Sequence, residues 1–451
     1  MKKALALMLA GAMSAGLLAG CGSAQSTASG STAATGENGT SAAAGSGDLT
    51  MSWWGGDSRH EAYQNALAAF TEETGISVAT HYGAWSGWED QTSAALYSGN
   101  AEDVMQVNWN WLSQYSGDGS KFVDLNEYAD IIDLSQFPES TLEACTVAGK
   151  LQAIPVSMTG RIFYWNMNTF KEAGLDSYPT TLDELYAAGE AFKTNLGDDY
   201  YPLAMGEYDR MILMTFYLES TYGKPWVEDN TLQYTVEEIA TGIDFIQSLE
   251  DNHVIPSIQT MNAAGIDANN SIDKSEQWIN GMYAGIFEWD SAPVKYRDAL
   301  ADASGFTVGD EIKFGDKANG GFSKVSMGLA ITETCANKEA AAQLINYLLN
   351  GDGAAIMGSE CGIPNSVAGL AAASAVDGAV EALVEEANSK VMAFVDFQLD
   401  PVYESTDLKA NPGGVYADVF GGYSYGEYSD STEAAQDLYD GVTEALEDLG
   451  A

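Results

Sequence analysis

Short strands alternate with helices in the chain that follows residue 47, and this order is the strongest constraint on its fold. The segments Leu49–Trp53, Ile76–His81 and Val104–Val107 have the length and character of strands, and a helical pattern separates each from the next. A strand–helix–strand–helix–strand order is typical of a mainly parallel sheet covered by helices. The sequence therefore predicts an α/β fold.

Capping motifs predict where three helices begin. In a capping box, a Ser or Thr hydroxyl accepts a hydrogen bond from the backbone N–H three residues on. The side chain of a Glu at that later position in turn accepts a hydrogen bond from the backbone N–H of the Ser or Thr. The pattern occurs at Ser58–Glu61, Ser86–Glu89 and Thr181–Glu184. A break in the alternation is expected at Pro155–Gly160, followed by a new strand at Arg161–Trp165.

Later segments continue the same mixture of elements. A Gly-rich strand is predicted within Ile279–Phe287 and another strand at Val325–Ile331, and helices are predicted at Lys338–Leu349 and Ser431–Leu449. The roughly 400 residues that follow residue 47 exceed what one hydrophobic core usually serves, so two lobes are expected.

The N-terminus predicts export and lipid anchoring. Lys2 and Lys3 precede an apolar run that ends at Leu18 and is shorter than the about 20 residues of a membrane span. The sequence Leu18-Ala19-Gly20-Cys21 is similar to a bacterial lipobox, in which the cysteine is acylated and becomes the new N-terminus. We therefore expect residues 1–20 to be a lipoprotein signal peptide and Cys21 to be the lipidated residue; an ordinary signal peptide with a chance cysteine is the alternative.

Residues 21–47 are predicted to form a lipidated, flexible tether. The segment after Cys21 is nearly all Ser, Ala, Gly and Thr, which cannot bury enough apolar surface to offset the entropy of ordering it. A coil of this length reaches roughly 25–30 Å. The protein is therefore expected outside the cytoplasm, held at the cell membrane by its N-terminal lipid alone.

Charge and cysteine content exclude several classes of protein. With 65 Asp and Glu against 19 Lys and Arg, the formal net charge is −46, which argues against nucleic acid as a partner. Beyond Cys21 there remain Cys145, Cys335 and Cys361, too few for a disulfide scaffold, although a Cys335–Cys361 bridge stays open. The three His are scattered and no Cys-x-x-Cys occurs, so neither a metal nor a cofactor is expected.

Tryptophans follow the ends of the predicted strands. Ligands of open α/β sheets lie beyond the carboxyl ends of the strands, and sugar rings rest their C–H faces on aromatic planes while their hydroxyls need polar neighbours. About half of these tryptophans are expected to be core residues instead. The candidate sugar-binding residues are the aromatic Trp54, Trp85, Trp109 and Trp289 and the polar Asp57, Asn108, Glu207 and Asp290.

Several short motifs resemble one protein family. They are Trp53-Trp54-Gly55-Gly56, the segment Phe70–Ile76, Ile154-Pro155-Val156, the segment Ile279–Gly285, and Gly362-Ile363-Pro364. In this order they resemble bacterial extracellular solute-binding proteins of the maltose-binding-protein type, which serve carbohydrate ABC importers. The resemblance spans about 48–450 and implies a two-lobe periplasmic-binding-protein-like fold with a hinge and an interlobe cleft.

A closer similarity, to oligogalacturonide-binding proteins, rests on Trp53–His60, Asn108–Trp111, Ile132–Phe137 and Gly160–Tyr164. It adds His60 and Arg59 to the candidate binding residues. The family topology implies that one lobe holds 48–157 and 300–355 and the other 160–298 and 360–451.

Arginine is scarce and suggests the type of sugar. Of four Arg, Arg59 follows the first predicted strand, and the resemblance places Arg161 at the crossing between the lobes. Because Arg binds carboxylates through two parallel hydrogen bonds, a cleft with both residues would suit a uronic acid. The alternative is that both pair with some of the many acidic residues, so an acidic and a neutral ligand both stay open.

The favoured function is binding of a ligand without catalysis. No Gly-x-Ser-x-Gly, His-Glu-x-x-His or phosphate-binding Gly-Lys-Ser/Thr motif occurs. We expect a monomer that binds an oligosaccharide and delivers it to the permease subunits of an ABC importer. A surface lipoprotein that hydrolyses or cleaves polysaccharide is the alternative, and an adhesion lipoprotein is a third hypothesis.

Overall fold

Twelve strands and eighteen α-helices form the part of the chain that the computed structural model describes, residues 48–85, 87–267 and 270–450. The strands are β1 Leu49–Trp54, β2 Val78–Gly83, β3 Val104–Val107, β4 Thr146–Val147, β5 Lys150–Leu151, β6 Ile154–Asn166, β7 Val227–Glu228, β8 Thr231–Leu232, β9 Gly285–Trp289, β10 Phe306–Val308, β11 Phe322–Ile331 and β12 Phe397–Gln398.

The helices cover both the segments between strands and most of the C-terminal part. They are α1 Asp57–Thr74, α2 Trp88–Ser98, α3 Trp111–Ser116, α4 Glu139–Glu143, α5 Met167–Glu172, α6 Leu182–Asn195, α7 Glu207–Tyr222, α8 Val236–Asp251, α9 Ile258–Ala263, α10 Glu276–Ile279, α11 Pro293–Ala299, α12 Lys338–Asn350, α13 Asp352–Met357, α14 Val367–Ser374, α15 Ala382–Phe394, α16 Thr406–Lys409, α17 Val415–Tyr425 and α18 Ser431–Gly450.

The main sheet has the strand order β10-β6-β11-β3-β1-β2, with β9 also paired to β6 and β12 to β11. β1 pairs in parallel with β2 and β3, which confirms the predicted parallel start of the sheet. β6 changes partners along its length. Its first half pairs with β11 as far as Gly160, and its second half pairs with β9 from Arg161 onward. A single 13-residue strand thereby joins two sets of strands.

The predicted break at Pro155–Gly160 is therefore wrong. Pro155 lies one residue inside β6 and opposite Gly328, where the register of β11 shifts at a bulge. A bulge tolerates the missing N–H of proline, so the strand continues through it.

Helix starts agree with the sequence in one case and differ in another. The Thr181 hydroxyl caps α6 by accepting from the Glu184 N–H at 3.2 Å, as predicted. The predicted Ser58 cap is wrong, because α1 begins at Asp57 with Gly56 as its N-cap and Ser58 donates to Glu360 instead. An acidic residue in the first turn favours this earlier start through the helix dipole. Ser86 lies outside the described residues.

The strand predicted within Ile279–Phe287 is β9, which begins at Gly285 and extends two residues beyond the segment, to Trp289. Residues Glu276–Ile279 form the short helix α10, capped by Ser275, and Gly281 then turns the chain with φ +73°. Glycine adopts this left-handed conformation without a Cβ clash, so a helix end and a turn precede the strand in this segment.

The three described cysteines are buried free thiols, so Cys335 and Cys361 do not form a bridge. Among the described helices, none is both long and apolar enough to cross a membrane. Within the same residues, no group of three or more His, Cys, Asp or Glu side chains is arranged to hold a metal ion.

Candidate ligand-binding cleft

A cleft of about 530 Å³ lies beside the carboxyl ends of β2 and β3. One wall consists of residues that directly follow these strands or begin α2, and the other consists of the segment from Glu404 to Asn411. This is where an open α/β sheet is expected to bind its ligand. The lining residues are Trp85, Gly87, Glu89, Asp90, Asn108, Asn110, Glu404, Thr406, Lys409, Ala410 and Asn411.

Trp85 presents an aromatic surface to this cleft. Its side chain is 45% exposed, although its ring stacks on Trp111 at 5.9 Å with an interplanar angle of 10° and meets the edge of Trp54 at 5.2 Å. The Trp111 indole is itself held in place, since its Nε1 donates to Glu89. An exposed ring supported by two buried ones offers a rigid platform for the apolar face of a sugar.

Two asparagines provide hydrogen-bonding groups in the same wall. Asn108 Nδ2 donates to the Glu404 carboxylate at 3.4 Å, and Asn110 Nδ2 donates to the Glu404 carbonyl at 3.1 Å. The Oδ1 atoms of both are buried and have no hydrogen-bond partner among the described residues. Buried acceptors are costly unless water or a ligand supplies a donor. A hydroxyl-rich ligand provides such donors.

Glu404 is the centre of a charged cluster at the cleft. It accepts from Lys324 Nζ at 2.6 Å and from Tyr208 OH at 2.9 Å, and Lys409 Nζ lies 3.4 Å away. Although burial acts to raise it, the pKa of Glu404 is held well below its ordinary value by Lys324 and Lys409. Burial lowers the pKa of Lys324 to about 8, against the attraction of Glu404. Lys409 is one-third exposed, so its ammonium group remains accessible from the cleft.

Arg161 is buried behind Trp289 and already paired. Its Nη1 lies 2.9 Å from Asp209 and 2.8 Å from Glu288, while its guanidinium carbon lies 4.4 Å from the centroid of the Trp289 ring. Burial raises the pKa of Asp209 to about 6, with Arg161 opposing this shift. Lys324 Nζ approaches the same Trp289 ring at 4.7 Å. Arg161 therefore orients Trp289 and is engaged by two carboxylates before any ligand binds.

The binding residues predicted from the sequence differ in how close the structure places them to the cleft. Trp85 and Asn108 line the cleft, and Trp54 supports Trp85. Trp109 is 3% exposed, and its ring centroid lies 5.3 Å from Lys324 Nζ. Glu207 lines a smaller neighbouring cavity.

The remaining candidates do not line either cavity. Arg59 donates to the Glu360 carbonyl at 2.9 Å, and His60 accepts from Trp53 Nε1 at 3.0 Å. Asp57 is the exposed first residue of α1. Asp290 is buried and accepts from Thr159 and Asn388.

Several residues at the site were not predicted as binding residues from the sequence, among them Glu404, Lys409, Asn411 and Lys324. For Lys324 the sequence held a weak indication of a role at the site, because this lysine directly precedes an apolar strand segment. Glu404, Lys409 and Asn411 lie in or beside the short helix α16, in a late segment that carries no periodic pattern, and only the tertiary fold brings this segment opposite β2 and β3.

A mixed α/β fold with its cleft at the ends of the strands defines the class of two-lobe solute-binding proteins. A family model for bacterial extracellular solute-binding proteins matches residues 56–355, and the chain belongs to this family. The predicted family is thereby confirmed, and the likeness to solved solute-binding proteins confirms the predicted two-lobe α/β fold.

Solved structures agree over nearly the whole described chain. A periplasmic oligogalacturonide-binding protein from Yersinia enterocolitica, in complex with saturated digalacturonic acid, is 31% identical with a TM-score of 0.80; the match covers 89% of this chain and 99% of that one. A periplasmic solute-binding protein from Pectobacterium atrosepticum is also 31% identical, with the same coverage and a TM-score of 0.82.

Curated relatives match over shorter spans. The diacetylchitobiose-binding protein DasA of Streptomyces coelicolor is 26% identical over 141 residues, which is 31% of this chain and 33% of that protein. The chain spans at most 39% of the length of the curated relatives that it matches.

Proposed function

We propose that this protein binds an oligosaccharide in the cleft between Trp85 and Asn411 and delivers it to the permease subunits of a carbohydrate ABC importer. The observation that carries the proposal is an exposed aromatic platform beside buried amide acceptors in one wall of a cleft of about 530 Å³. This volume is within the range of about 300–1,000 Å³ for small-molecule sites. The sugar-binding relatives support the same class of ligand.

We propose further that the ligand carries uronic acid units. The Yersinia relative, with digalacturonic acid, supports this assignment. In the present chain Lys409 supplies the accessible cation, because it is one-third exposed and shares the Glu404 carboxylate with Lys324. Arg161 is buried between two carboxylates, and Arg59 donates to a backbone carbonyl away from the cleft. A carboxylate at Lys409 would form a charge-assisted hydrogen bond, which is stronger than a neutral one.

An enzymatic role as a polysaccharide hydrolase or lyase has less support. A glycosidase needs one carboxylic acid that is protonated near neutral pH. Glu404 cannot take this role, since its pKa is depressed by Lys324 and Lys409. The assignment as a binding protein also agrees with the family.

The two lobes are proposed to comprise 48–157 with 300–355 and 160–298 with 360–451, and to close about the ligand as a hinge. The exchange of β6 partners between Gly160 and Arg161 supports a boundary at that point.

Calorimetric titration with digalacturonate and with neutral gluco- and manno-oligosaccharides tests the ligand assignment. Saturable heat from digalacturonate is expected, and Lys409→Met should weaken this binding by roughly 1.5–3 kcal/mol, the value of a hydrogen bond to a charged group. Trp85→Ala should weaken it by about 1–3 kcal/mol, as for an aromatic anchor.

Tyr97→Ala is the control, because Tyr97 is 64% exposed and does not line the cleft. Heat from neutral sugars alone would overturn the uronate assignment, and no heat from any sugar would overturn the proposed function.

The protein is proposed to be a monomer anchored outside the cytoplasm by a lipid on Cys21, which lies outside the described residues. Cell fractionation of a Cys21→Ser variant tests the anchor. We expect the variant to leave the membrane fraction, because acylation needs the cysteine sulfur. A variant that remains in the membrane fraction like the wild type would contradict the anchor.

A further inference from the structure

A second cavity, of about 250 Å³, adjoins the cleft. Asn411 lines both spaces, and Tyr208, which lines the second, lies beneath Lys409 with its ring centroid 4.6 Å from Nζ. The volume is below the about 300–1,000 Å³ of a complete small-molecule site. It suits one unit of a longer ligand rather than an independent one.

The charges of this cavity differ from those of the Lys409 region. Its lining includes the carboxylates of Glu207, Asp209, Asp267 and Glu288. Lys295 also lines it but lies 2.9 Å from Asp273 and is thus already paired.

Two of the carboxylates share one cation. Asp209 and Glu288 both contact Arg161 Nη1, so one positive charge serves two negative ones. Among the described residues, Glu207 accepts only from the neutral amide of Asn411, at 3.3 Å. Negative charge is therefore in excess at this wall, and a ligand carboxylate placed here would be repelled.

The rest of the wall suits the body of a sugar. Ile258, Met261, Ile266 and Ile272 supply apolar surface, and Tyr296 supplies an aromatic ring whose hydroxyl donates to Glu288 at 2.8 Å. Carboxylate oxygens have several acceptor positions each, so they can accept from ligand hydroxyls in addition to their protein donors. The cavity thus offers acceptors for hydroxyls and an apolar surface for C–H groups.

We propose that this cavity is a subsite for an uncharged end of the ligand, a neutral or esterified sugar unit, and that it excludes a unit with a free carboxylate. The inference rests on the proposed function and adds to it the type of oligosaccharide. The units bound in the cleft beside Lys409 are acidic, and the terminal unit that extends into the second cavity is uncharged. Glu207 is the residue that would determine this selectivity.

Titration with three trimers tests the subsite: trigalacturonate and the two forms that carry one methyl ester at either terminal unit. We expect one of the two esters to bind about tenfold more tightly than trigalacturonate, since like charges placed together in a binding site are strongly unfavourable. Glu207→Gln should remove most of this preference by improving the binding of trigalacturonate. Asn262→Trp, at an exposed lining residue, should fill the cavity and reduce the affinity for the preferred ester.

Glu72→Gln is the matched control, because it removes the same charge from an exposed position on α1 that lines neither cavity. The preference should be unchanged in this variant. Equal binding of all three trimers by the wild type, or an unchanged preference in Glu207→Gln, would overturn the subsite. Tighter binding of an amino-sugar-ended oligomer than of the neutral-ended one would overturn it in favour of a cation site. Digalacturonate binding reports on the proposed function separately, so loss of the ester preference alone leaves that function intact.

Discussion

Asp290 shows how the role of a residue depends on what surrounds it. The sequence places it directly after Trp289, and it was therefore predicted to contact ligand. In the fold it is 1% exposed, and its carboxylate accepts from Thr159 Oγ1 at 2.5 Å and from Asn388 Nδ2 at 2.8 Å. It thus links the end of β9 to β6 and α15.

The stability of the protein should depend on the protonation of Asp290. Burial raises its pKa to about 7, and the buried Glu311 carboxyl faces it. Between about pH 4 and pH 7 the folded state holds this proton while the unfolded state, with a pKa near 3.9, does not. The contribution of Asp290 to the free energy of unfolding therefore falls as pH rises through this range, by up to about 4 kcal/mol.

Asp290→Asn should remove this part of the pH dependence, since the amide oxygen can accept from Asn388 and the amide nitrogen can donate to Thr159. Denaturant unfolding of both proteins at pH 5 and pH 8 measures the effect, which should appear as a gain in the relative stability of the variant at the higher pH. Asp377→Asn, at an exposed carboxylate, is the control. Parallel pH profiles for wild type and Asp290→Asn would contradict the prediction.

At the scale of elements, the crossing strand β6 depends on close packing against α15. Gly160 lies where β6 leaves β11, and a Cβ added there would lie 2.5 Å from Val391 Cγ1 and 3.0 Å from the Phe322 carbonyl oxygen. Val391 is fully buried on α15. The absence of a side chain at this one position lets helix and strand approach.

Gly160→Ala should lower the free energy of unfolding by about 1–3 kcal/mol, the usual cost of overpacking a core. Adding Val391→Ala should recover part of this loss relative to the Val391→Ala single variant, because it removes the nearest clashing atom. Gly421→Ala is the matched control: Gly421 lies within α17 with no atom near its Cβ position, so the helix should gain about 0.5–1 kcal/mol. Urea unfolding decides between these outcomes, and an undiminished stability of Gly160→Ala would refute the packing argument.

At the scale of the whole molecule, the net charge of −46 opposes the approach of an anionic ligand. Salt screens such long-range repulsion, since the Debye length falls from about 10 Å at 0.1 M to about 3 Å at 1 M. The contacts at Lys409 and Glu404 act over a few ångströms and are partly buried, so they are screened less. Association and dissociation should therefore respond differently to salt.

Raising NaCl from about 0.05 to 0.5 M should increase the association rate constant of digalacturonate severalfold and change its dissociation rate constant much less. A neutral oligosaccharide that binds the same cleft should show no such increase in its association rate. Stopped-flow fluorescence of the cleft tryptophans provides both rate constants. An association rate that falls with salt would show that the local field of Lys409 outweighs the global charge.

The sequence by itself determined the local elements and the family. Strand β3 has the predicted bounds, the helix after Thr181 begins at the predicted cap, and motifs dispersed from Trp53 to Pro364 indicated the solute-binding family. These features are set by residue periodicity, capping and short-range turn chemistry, which depend only on neighbours in the chain.

The tertiary structure alone decided which residues share the cleft. Asn108 and Glu404 are 296 positions apart, and their contact exists because a late segment of the chain folds back against the ends of β2 and β3. The same folding engaged Arg161 with two carboxylates and left Lys409 accessible. Pairing of charges depends on distances in space, whereas sequence patterns report only spacing along the chain, so with 65 acidic residues no pattern could have indicated which cation stays available to a ligand.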